Sequence, residues 1–142
     1  MNKLLLFHAL LYRRKERKSN VTKEQIEKIL MNMGIYPYHV GFKYLVEAIP
    51  LAFETLGKSS FAMYIYCEVG EKCGVDYRCV ERGIRESLKN IKRDTSDFKK
   101  YIGIDESEKV TTKKFLSMFA YNSLRERGER IERDTNNGNG DG

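Results

Sequence analysis

Gly74 stands between two stretches of helical periodicity, and only Val75 and Asp76 separate it from the second. A serine, Ser59 or Ser60, can cap the first stretch, which places Met63, Cys67, Gly70 and Cys73 on related faces. Asp76 is a good N-cap for the second, predicted from Tyr77 to Ile91 with Val80, Ile84, Leu88 and Ile91 as its apolar stripe. So short a link forces the two helices to cross steeply and pack near their junction. Val69, Cys73, Val75 and Val80 are the apolar residues placed to meet there, and Gly70 lets the backbones come close. Two helices joined by a tight glycine-containing turn form a helix-turn-helix.

The rest of the chain repeats the helical pattern without a convincing alternating strand. Thr22 and Gln25 make a capping box ahead of Ile26, Ile29, Leu30 and Met33, and Gly34 stops that helix. A turn over residues 35–39 leads into a second helix from about Gly41 to Gly57, with Pro50 inside it as a source of a kink or a lost hydrogen bond. A short helix is predicted over Thr95–Tyr101, and a last one begins at Thr111 or Thr112 with Phe115, Met118, Phe119 and Leu124 as core candidates. The expected fold is all-α, a compact bundle of about five to seven helices containing the helix-turn-helix. Residues 21–127 form its domain, 1–20 a basic arm or short helix, and 128–142 a charged and then disordered Gly/Asn-rich tail.

A net charge of +6 is unevenly spread. Residues 1–20 carry +5, residues 21–60 balance, and Arg78–Arg93 hold six basic groups against two acidic ones. Basic foci of this kind suit a polyanion. The leucine-rich run from Leu4 to Leu11 meets Arg13-Arg14-Lys15-Glu16-Arg17-Lys18 instead of a cleavage site and is too short to span a bilayer, so a cytoplasmic protein without a membrane partner is expected. Three cysteines, Cys67, Cys73 and Cys79, fit a reducing compartment; their spacing is not that of a zinc site, and they read as small buried hydrophobes. There is no Ser/His/Asp arrangement, phosphate-binding glycine loop or pair of catalytic carboxylates, so neither an enzyme nor a cofactor is expected. Glu47 reads as part of a helix-packing motif.

If the helix at 77–91 packs through Val80, Ile84 and Leu88, its other side presents Arg78, Glu81, Arg82, Arg85 and Lys89, with Lys92 and Arg93 just beyond. Arginine can pair bidentately with guanine and a carboxylate can accept from cytosine N4, which is the chemistry of major-groove reading. An ordinary solvated face laced by salt bridges such as Arg82–Glu86 is the plainer alternative.

Val80-Glu81-Arg82-Gly83-Ile84-Arg85 resembles the Val-Glu-Arg-Ala-Ile-Arg core of the recognition helix in the C-terminal effector domain of the sporulation stage-zero master regulator of endospore-forming bacteria. Upstream, Gly41-Phe42-Lys43-Tyr44-Leu45-Val46-Glu47-Ala48-Ile49 is similar to that family's Gly-Tyr-x-Tyr-Leu-Arg-Glu-Ala-Ile. Downstream, Phe115-Leu116-Ser117-Met118-Phe119-Ala120 resembles Phe-Ile-Ala-Met-Val-Ala of its last helix, and order and spacing agree over about residues 22–125.

The resemblance implies an all-helical domain that binds short DNA boxes, often in tandem, and controls transcription. It maps base contacts onto Glu81 and Arg82 and a base or phosphate contact onto Arg85. Double-stranded DNA is the implied partner, with a homodimer on tandem sites and RNA polymerase or another regulator beside it. The chain departs from the family at Cys79, where arginine is usual, and at Glu86, where histidine is common; Arg78, one residue off, is rotated by about 100° and is no substitute. Gly83 in place of alanine costs about 1 kcal/mol of helix propensity. About 20 residues precede Thr22, too few for the family's receiver domain, so a stand-alone protein without phospho-control in cis is expected. Cys79 and Glu86 favour the rival reading, a helical adaptor or anti-activator that kept the fold without its DNA site.

Overall fold

The computed structural model describes residues 21–58 and 61–138, with the side chains of 127–138 set aside. Six helices run α1 Lys23–Asn32, α2 Phe42–Thr55, α3 Phe61–Cys73, α4 Tyr77–Leu88, α5 Ser96–Tyr101 and α6 Thr112–Gly138, and no strand occurs among the described residues. The all-α expectation holds. The basic segment 1–20 and the capping serines Ser59 and Ser60 lie outside the described residues. Where a tail was expected from residue 128, the backbone continues as helix to Gly138.

Helix starts follow local chemistry. The Thr22 hydroxyl accepts from the Gln25 amide at 3.2 Å, and the Gln25 side chain accepts from the Thr22 amide at 2.8 Å. Asp76 caps α4 by accepting from the Arg78 amide at 2.8 Å. Thr95 caps α5, accepting from Phe98 at 3.2 Å, and Thr111 accepts from Lys114 at the start of α6.

The organiser is α2. It is apolar nearly all round, with Phe42, Tyr44, Leu45, Val46, Ala48, Ile49, Ala52 and Phe53 buried, which is the pattern of a helix enclosed by others. It packs against α1, α3, α4 and α6. Pro50 sits inside it without ending it. The missing Pro50 N–H leaves the Val46 carbonyl without its intrahelical donor, a loss that burial along α2 outweighs. Glu47, half-buried on α2, pairs with Lys23 of α1 at 2.8 Å and Lys72 of α3 at 2.6 Å. From α6, Phe115, Leu116, Phe119 and Ala120 close the core, with Phe119 stacked on Tyr101 at 5.0 Å.

Two expectations need correction. The cysteines are not core residues: Cys67 and Cys73 are half-buried and Cys79 is exposed. The core face of α3 belongs instead to Phe61, Tyr64, Ile65, Tyr66 and Val69, larger groups that gain more from burial, and Met63 faces outward. α4 also stops at Leu88, three residues before Ile91, because the chain turns there so that the Lys92 N–H can donate to the Met33 carbonyl at 2.7 Å.

Candidate nucleic-acid interface

The junction between α3 and α4 is built on Gly74, whose φ of +71° is a left-handed conformation natural to glycine. The Val75 N–H reaches back to the Gly70 carbonyl at 2.9 Å, closing a Schellman-type turn. A Cβ on Gly70 would stand 2.7 Å from the Val75 carbonyl oxygen, so the close approach requires glycine there. Asp76 then starts α4, and α3 and α4 pack through Val69 and Val80, both fully buried.

α4 is sharply two-sided. Val80, Gly83, Ile84, Ser87 and Leu88 are buried, while Arg78, Arg82, Arg85 and Lys89 are exposed. At about 100° per residue those four basic groups lie within roughly 60° of one another around the axis. Together they form one basic stripe on a convex helix, beside a tight turn.

The sequence-predicted residues differ in how they are held. Arg82 is exposed and joins no ion pair among the described residues. Arg78 lies over the Tyr77 ring, 5.5 Å from its centroid, and its Nε is 4.0 Å from Asp76. Glu81 is half-buried at the edge of the stripe and pairs with Arg85 at 3.3 Å. Burial first and the nearby Glu81 charge second push the Tyr66 phenol up to about 12. Lys89 pairs with Glu86 at 3.0 Å, so the salt bridges on this face are Arg85–Glu81 and Lys89–Glu86 rather than Arg82–Glu86. Lys92 is exposed beyond the helix end. Arg93 stands apart: its guanidinium donates to the carbonyls of Asp105, Glu106 and Glu108 and lies 5.8 Å from the Phe98 ring centre, tying down the loop ahead of α6.

Sequence patterns pass over the residues that seat α4. The Gly41 N–H donates to the buried Ser87 hydroxyl at 2.7 Å. A Cβ on Gly41 would lie 2.3 Å from the Gly83 carbonyl oxygen, and one on Gly83 would lie 2.8 Å from the Tyr44 ring. Gly83 is therefore a packing choice, and the propensity it sacrifices lets α4 approach the start of α2. Glycines at 41 and 83 were the available signal, but nothing in the spacing pairs them.

Among the described residues no three His, Cys, Asp or Glu side chains gather as a metal site, and no helix is long and apolar enough to cross a membrane. No curated protein and no solved structure matches the chain. The family model of the sporulation initiation factor Spo0A C-terminal domain does match, over residues 26–122, which takes in α2, α3, α4 and the start of α6. The chain thus belongs to the Spo0A C-terminal family, the DNA-binding effector domain of a sporulation regulator.

Proposed function

We propose that this chain binds double-stranded DNA sequence-specifically and regulates transcription, with α4 in the major groove. The observation that carries the reading is the exposed Arg78–Arg82–Arg85–Lys89 stripe on a helix whose opposite side is locked into the core. Arg82, unpaired among the described residues, is assigned to a guanine edge. Glu81, held in place by Arg85, is assigned to a base-pair donor such as cytosine N4. Arg78, Arg85, Lys89 and Lys92 supply base or phosphate contacts, of which the phosphate contacts position the helix without specifying sequence. Arg93 acts at second hand, by holding the 105–108 loop beside the end of α4. Tandem sites and a homodimer, with RNA polymerase or another regulator as a further partner, complete the reading, and residues 21–127 form its working unit.

Glu86 and Cys79, both exposed at the edge of the stripe, favour the rival reading of a helical adaptor without a DNA site. A salt titration separates the two. A duplex selected from a random pool by the wild-type chain, and a scrambled duplex of the same composition, are titrated by anisotropy across a salt series. The DNA reading expects affinity to fall steeply with salt on both duplexes and to stay higher on the selected one. Failure to enrich any duplex would leave the adaptor reading standing.

A further inference from the structure

The turn between α1 and α2 rests on α4. Its Gly41 amide is bonded to Ser87, its Gly41 backbone touches Gly83, and Val40 Cγ1 would be 3.1 Å from a Cβ at Gly83. All three contacts are on the buried side of α4, at Gly83 and Ser87, next to the edge that carries exposed Glu86 and Cys79. From it project Tyr38 and Val40, 78% and 66% exposed, followed by exposed Lys43 in the first turn of α2.

We propose that this turn grips the DNA backbone bordering the groove that α4 enters, with Lys43 and His39 as its phosphate contacts; the inference rests on the DNA-reading assignment of α4. An α-helix with its side chains is about 10–12 Å across and the major groove about 12 Å wide. A segment that extends past that edge of a seated helix is therefore carried toward the strand that forms the groove wall. The turn suits that place electrostatically. No carboxylate occurs from Ile35 to Val46, and the one acid on the neighbouring edge of α4, Glu86, is already engaged by Lys89. Lys43 Nζ lies 5.3 Å from the Tyr44 ring centroid and joins no ion pair among the described residues. His39 is prepared as a donor: its Nδ1 accepts the Tyr36 N–H at 2.8 Å, so Nε2 carries the ring proton of the neutral imidazole. The ring is held in place by Tyr38, with centroids 4.6 Å apart. A docked protein would be expected to use the exposed apolar groups Tyr38 and Val40, whereas the acid-free, donor-bearing rim favours a polyanion.

The test uses the full chain, the selected duplex and the scrambled duplex. Lys43→Gln should lower the slope of log affinity against log salt by about 0.9 on both duplexes, the value of one lost phosphate contact. His39→Asn keeps an acceptor for the Tyr36 N–H and removes the Nε2 donor; it should weaken both duplexes alike without altering base preference. Phosphate ethylation should cease to interfere at the same one or two backbone positions in both variants. Wild-type slopes and an unchanged interference pattern in both variants, alongside base preference that Arg82→Ala still relaxes, would overturn the inference and leave the α4 assignment intact. If the wild-type chain does not distinguish the two duplexes, both fail.

Discussion

Two glycines end two helices in this fold by the same local device, and the surroundings make them unequal. At Gly34 and at Gly74 the backbone turns left-handed, with φ of +92° and +71°. In each case the following amide reaches back to a carbonyl five residues earlier at 2.9 Å, Ile35 to Leu30 and Val75 to Gly70. Gly74 opens onto solvent, and a Cβ there would meet nothing within 4 Å. Gly34 is buried against the far end of α4: a Cβ would stand 3.0 Å from Lys92 Cγ and 3.1 Å from the Asn90 carbonyl oxygen. One junction launches α4 and the other receives its end. A shared backbone motif thus carries two costs, one set by φ alone and one by φ and packing together.

Substitution should separate them. Gly34→Ala is expected to destabilise the domain by about 2–3 kcal/mol, combining left-handed strain with overpacking. Gly74→Ala should cost about 1–2 kcal/mol, the strain by itself. Urea midpoints at constant slope measure both. Equal losses would mean that the packing at Gly34 relaxes freely, and the contrast would collapse. Asp76→Ala removes the cap that follows Gly74 and should cost about 1 kcal/mol, read in the same way. A loss as large as that at Gly34 would show the launching junction to be the stiffer of the two.

The smallest effect concerns Glu47, which ties the helices entering both junctions through Lys23 of α1 and Lys72 at the end of α3. Burial pushes its carboxyl up, but the hydrogen bonds and charges of the two lysines outweigh that and hold it below its ordinary value. A carboxylate so lowered stabilises the fold above its unfolded pKa, and that share is lost as pH falls through the lower folded value. Because both lysine partners are more than half exposed, Glu47→Gln should cost no more than about 1 kcal/mol near neutrality. The gap between variant and wild type should close below about pH 4, seen in urea midpoints across a pH series. A gap that persists in acid would assign the effect to packing instead of charge.

The same contrast explains how much of the molecule the sequence could reveal. Caps and stops were legible at Thr22, Gly34, Gly74 and Asp76, since each is satisfied by atoms within a few residues. The two-sidedness of α4 was legible too, because 3.6-residue periodicity puts Val80, Ile84 and Leu88 opposite the arginines. What escaped depends on residues far apart in the chain. α4 ends where Lys92 meets Met33, Arg93 turns toward the 105–108 carbonyls, and Gly83 exists for Gly41 and Tyr44. The cysteines were misplaced for a related reason: Met63, Cys67, Gly70 and Cys73 recur at helical spacing, but Phe61, Ile65 and Val69 compete for the same core and occupy it.

The central claim is that α4 reads bases, and the most direct measurement is a base-by-base substitution series on the selected duplex, titrated with wild type and with Arg82→Ala. The account predicts that the variant loses about 1–3 kcal/mol of discrimination at a single base pair while preferences elsewhere persist. A uniform loss at every position, or none at any, would contradict it.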